Sequence, residues 1–91
     1  MTTTTPNTEI SYTATMKAKT TMETLQRIMR PNALSPFKNM ERIAFMAGQL
    51  QKDARAEGVT EEMRAAAEGW CCAAVNRILE TASDYLGIPN V

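Results

Sequence analysis

The sequence predicts a mainly α fold: one N-terminal β-strand, a short helix and a long antiparallel helix hairpin, α+β by strict count. Three observations carry that expectation. From Thr60 to Leu86 the apolar residues Met63, Ala67, Trp70, Cys71, Ala74, Val75, Ile78, Ala82, Tyr85 and Leu86 recur in steps of three and four, the spacing of one helix face. A second such segment precedes Gly58, and the turn joining the two is short enough to force an antiparallel hairpin. Between Glu9 and Lys19 the period changes to two, which is the signature of a half-buried strand.

In chain order, residues 1–8 (four consecutive Thr, then Pro and Asn) offer nothing to bury and are expected as a loose tail before a single domain, 9–91. The strand is expected over 9–19, with Ile10, Tyr12, Ala14, Met16 and Ala18 on one face and Ser11, Thr13, Thr15, Lys17 and Lys19 on the other. A helix is the competing reading of this stretch, because Ala, Met and Lys all favour one. A lone strand leaves its backbone ladder unpaired, so this element calls for a partner strand, and a homodimer is the simplest supplier.

Thr20 and Glu23 have the spacing of a capping box, which opens a short helix over 21–30 with Met22, Leu25, Ile28 and Met29 on its apolar face. Pro31, Asn32 and Pro36 break the chain. Ser35 followed by Pro36 starts the next helix, over 36–57, and Gly58 stops it. Its apolar face runs through Phe37, Met40, Ile43, Ala44, Met46, Ala47, Leu50 and Ala54. Phe45 alone projects to the opposite side, among Lys38, Arg42 and Gln49. Thr60 caps the last helix, over 60–86, with Glu61 and Glu62 in its first turn, and Gly87 followed by Pro89 ends it.

Charge and chemistry narrow the function. Ten basic residues balance ten acidic ones, but Met1–Arg42 carries six against three and the remainder four against seven. That division holds two halves of a fold together, or presents one basic surface to DNA. There is no His in the sequence, which removes the commonest general base and metal ligand. The four glycines, at 48, 58, 69 and 87, form no phosphate loop. Cys71 and Cys72 are helical neighbours pointing about 100° apart, so they do not bridge each other. Free thiols, no run of apolar residues near the roughly 20 needed to span a membrane and no signal peptide at the start lead to a cytoplasmic expectation. Neither a catalytic centre, a metal nor a cofactor is expected.

What remains is binding. The leading expectation is a non-catalytic protein acting through protein–protein contact, with Phe45, Arg42 and Leu79 as the partner-binding residues and a protein or nucleoprotein complex as the partner. Small, neutral, motif-free proteins of this kind are typical of phage and mobile-element genes, so the most concrete version is an inhibitor of a host defence complex, anti-CRISPR-like. The alternative uses the Thr13, Thr15, Lys17 and Lys19 face of the strand, since Thr and Lys hydrogen-bond base edges and phosphates and a two-stranded ribbon fits the major groove. Strand, short helix, longer helix is similar in layout to the ribbon-helix-helix regulators, which implies a dimeric DNA-binding protein. Against that layout, Pro31–Pro36 replaces the small turn between the helices, and the helix from Thr60 lies outside the pattern. The plain reading of the Thr/Lys face is a solvated sheet surface.

Overall fold

Three helices, α1 (Thr4–Ile28), α2 (Pro36–Ala54) and α3 (Glu61–Leu86), build the chain in the computed structural model, which describes residues 4–31 and 36–87, with side chains from 11–31 and 37–87. The mainly helical class is as expected. The strand is not: residues 9–19 are helical and belong to α1. With no strand among the described residues, the expected route to a strand-paired homodimer is gone. The reason is visible in the burial of the alternating residues. Ala18 is fully buried and Ala14 partly so, whereas Tyr12 and Met16 are 68% and 38% exposed. Ala14 and Ala18 are four apart and stack on the same helix face as Thr21, Leu25 and Ile28. The period-two run was therefore two helix faces sampled in turn.

The proposed capping box fails for the same reason, because Thr20 lies inside α1 and its carbonyl accepts from Thr24 Oγ1 at 3.0 Å. Of the expected tail, residues 1–3 lie outside the described residues and the rest enter α1.

α2 begins at Pro36, where a proline costs nothing because the first helical N–H has no partner; Ser35, its expected cap, lies outside the described residues. It ends at Ala54, three residues before the expected limit. There the Arg55 N–H is shared between the Gln51 and Lys52 carbonyls, and the Ala56 N–H closes on Asp53, a tightening that unwinds the helix. Gly58 then adopts φ 92°, a conformation glycine reaches without steric cost. Both ends of α3 follow the sequence reading. Thr60 Oγ1 accepts from the Met63 N–H at 3.2 Å, and Gly87, at φ 66°, donates its N–H to the Ser83 carbonyl.

The helices run up, down and up. Phe37 meets Tyr85 and Cys71 meets the Ala47 carbonyl, which makes α2 and α3 antiparallel. Ser11 Oγ donates to the Gly58 carbonyl at 2.6 Å, the Thr60 N–H donates to Thr15 Oγ1, and Arg77 Nη1 donates to the Met29 carbonyl at 3.1 Å. These contacts lay α1 parallel to α3. Ala18, Leu25, Ile43, Leu50, Ala67 and Ala74, each 1% exposed or less, form the centre.

The helices are staggered. α1 stops level with Arg77, so the last turns of α3 and the first turns of α2 pack only against each other among the described residues. The radius of gyration is 16.1 Å, against about 12 Å for a compact domain of this length.

Candidate interaction surfaces

Several large apolar side chains of the hairpin stay outside. Val75, Leu79 and Leu86 are 52%, 55% and 66% exposed. Steps of four and seven put them on one face of α3, with the exposed Cys72 one turn earlier. Phe37 and Tyr85, both half exposed, meet edge to face at 4.8 Å between ring centres where the hairpin opens. Toward the interhelical turn the same side of the hairpin deepens into a groove of about 610 Å³, lined among others by Gln51, Arg55, Arg64, Glu68 and Cys72.

Val75, Tyr85 and Leu86 were expected within the core stripe of the last helix, and Phe37 and Ala44 within that of α2. The structure corrects these: Ala44 and all four larger residues are exposed. Trp70, also expected inside, is only partly buried. It lines a second groove, of about 480 Å³, with Gln26, Met29, Arg30, Pro31 and Arg77. The signal that could have found the α3 members was angle: Val75, Leu79 and Leu86 lie about 80–140° around α3 from the buried Ala67 and Ala74.

Phe45 projects as the periodicity predicts. It lies about 160° from Ile43 around α2 and is 70% exposed, the most exposed large apolar side chain among the described residues. Arg42, one turn earlier, is exposed as well. Leu79 does not join them. It belongs to the α3 stripe beside Val75 and Leu86.

The four residues of the expected Thr/Lys face are dispersed, because a helix turns by about 100° per residue where a strand turns by about 180°. Thr15 Oγ1 accepts the Thr60 N–H. Lys17 reaches toward Asp53, at 3.9 Å. Thr13 and Lys19 are exposed, and the helix splits the four into two pairs four residues apart, Thr13 with Lys17 and Thr15 with Lys19, about 160° from each other. No ribbon face exists among the described residues.

The polar group that sequence reasoning missed is Asp53, 5% exposed. It accepts from Thr21 Oγ1 at 2.6 Å and from Gln49 Nε2 at 3.0 Å, joining α1 to α2. This carboxylate is consumed in structural bonds. The Cys71 thiol, which donates to the Ala47 carbonyl at 3.5 Å, is pushed above its ordinary 9.0 by burial and by Cys72, with Arg55 opposing. A raised thiol pKa lowers the thiolate fraction and with it nucleophilicity. No group of three or more His, Cys, Asp or Glu is placed to hold a metal ion among the described residues. Nor is any described helix long and apolar enough to cross a membrane.

No protein-family model, no curated protein and no solved structure matches this chain.

Proposed function

We propose that this chain is a non-catalytic binding protein that acts by covering part of another protein. The observation that carries the reading is Phe45, a large apolar side chain held out on a rigid helix, with Arg42 one turn away. Aromatic residues and arginine are the side chains that most often anchor protein interfaces. A buried role for Phe45 is excluded by its place on α2, so truncating it removes contact surface and leaves the fold intact. The most concrete form is an inhibitor of a host defence complex carried by a phage or mobile element, of the anti-CRISPR kind, acting in the cytoplasm. Small size, zero net charge and the lack of a catalytic constellation support it.

The test is inhibition of a panel of reconstituted CRISPR nucleases by the wild-type chain and by Phe45→Ala and Arg42→Ala. Inhibition lost in the Phe45 variant, with helix content unchanged, supports the reading. Unchanged inhibition moves the site elsewhere, and no inhibition across the panel removes the anti-CRISPR form. The DNA-binding alternative is scored in parallel by gel shift at low salt. Salt-sensitive binding that a Lys17→Ala, Lys19→Ala double variant abolishes would replace the protein-contact reading.

A further inference from the structure

We propose that the α3 stripe of Val75, Leu79 and Leu86, together with the Phe37–Tyr85 pair, is a self-association surface on which a second copy of this chain docks. This inference does not rest on the Phe45 reading, since none of its observations uses Phe45.

The first argument is area. The chain exposes 6490 Å², where a compact monomer of 10.1 kDa exposes about 5,300 Å² by the usual scaling with mass. The chain thus leaves about 1,200 Å² more surface open than a compact monomer of its mass. Five large side chains of the hairpin, Phe37, Val75, Leu79, Tyr85 and Leu86, are exposed by half or more. At about 200 Å² for a fully exposed large side chain they present roughly 500 Å² of apolar surface. A standard interface covers about 800 Å² per partner, and about 65% of a homodimer interface is apolar, close to 520 Å². The uncovered patch is thus the size that one copy needs.

The second argument is charge. Around α3 the charged residues after Glu68 are Arg77, Glu80 and Asp84. On a 100° wheel all three fall on the side away from Val75, Leu79 and Leu86. From Cys72 to Leu86 the α3 stripe therefore meets its own image without like-charge contact, and the nearest acidic neighbours on this face are the exposed Glu68, one turn before Cys72, and Glu41, one turn after Phe37. A net charge of zero also leaves no long-range repulsion between copies.

The experiment is sedimentation of the full chain across a concentration series, with Leu79→Glu as the interface variant and Phe45→Glu as the control. The wild type and the Phe45 variant sediment as dimers at micromolar concentration, and Leu79→Glu weakens the dimer by about 30-fold or more, the loss typical of a central interface side chain. Circular dichroism checks that the variant keeps its helix content. A second measurement needs no variant. Cys72 is exposed in the single chain and lies beside the stripe, so its reaction with a maleimide slows as the concentration rises into the dimer range. A wild type that stays monomeric at high micromolar concentration, a dimer indifferent to Leu79→Glu, or a Cys72 labelling rate independent of concentration overturns the proposal.

Discussion

Replacing Thr21 by Val tests whether a buried carboxylate fastens α1 to α2. Thr21 is 8% exposed, and its hydroxyl lies 2.6 Å from Asp53 Oδ2 and 3.1 Å from the Lys17 carbonyl. One hydroxyl carries one proton, and the shorter, charge-assisted bond to the carboxylate takes it. Gln49 serves the other Asp53 oxygen at 3.0 Å. Lys17 is 3.9 Å away and its side chain is 71% exposed. Valine keeps the shape of threonine and removes the donor, so no large cavity enters the comparison. Loss of a hydrogen bond to a buried charge costs about 1.5–3 kcal/mol. In a domain of this size each kcal/mol moves Tm by about 4–8 °C, so a drop of about 10 °C is expected. Lys17→Ala breaks only a long, solvent-screened pair and costs less than about 1 kcal/mol. Urea unfolding followed by circular dichroism, at one fixed protein concentration so that association does not intrude, measures both. If Thr21→Val falls within about 0.5 kcal/mol of the wild type, or if Lys17→Ala costs more than Thr21→Val, the carboxylate is satisfied by something other than this hydroxyl.

Three further outcomes follow from local geometry. Thr60→Ala removes the acceptor for the Met63 N–H and lowers stability by about 1 kcal/mol, read from the same urea curves. Gly69 sits inside α3 with nothing within 4 Å of an added Cβ, so Gly69→Ala raises stability by about 0.5–1 kcal/mol, seen as a higher melting temperature. The Cys71 thiol has a higher pKa in the fold than its ordinary 9.0. Folding therefore holds that proton more tightly, and the stabilisation is fully present below pH 9 and is lost as pH climbs through the folded value. Melting temperatures measured from pH 8 to 11 should fall less steeply in Cys71→Ala than in the wild type.

The hairpin was legible in the sequence because its signals are local. Thr60, Gly58 and Gly87 act through their own backbone neighbours, and the steps of three and four in α2 and α3 need no knowledge of a third element. α1 was harder to read because apolar and polar residues alternate from Ile10 to Lys19. Only the burial of Ala14 and Ala18, against the exposure of Tyr12 and Met16, separates a helix with two partly apolar sides from a strand. The exposed stripe was misread because the apolar face of α3 was taken as wider than its two neighbouring helices cover. Val75, Leu79 and Leu86 lie about 80–140° around α3 from Ala67 and Ala74, on the side away from Arg77, which bonds to α1. Asp53 was equally hidden, since its partner Thr21 is 32 residues away and belonged to an element read differently. Phe45 was found because it contradicts the period of its own helix.

The two proposed surfaces constrain each other. A dimer formed through α3 carries two copies of Phe45, both outside the interface, so a partner with repeated or paired sites is bound with effective concentration added to affinity. Phe45→Ala and Leu79→Glu then have separable consequences. The first removes the partner and leaves a dimer. The second leaves each chain its Phe45 and makes binding one to one, weaker by the lost bivalency and not by a lost contact. A titration in which Leu79→Glu binds the partner as tightly as wild type means that the dimer serves stability alone. In that case association acts chiefly through the open end of the hairpin, where Phe37 and Tyr85 stay half exposed, and the melting temperature of the wild type, unlike that of Leu79→Glu, rises with protein concentration.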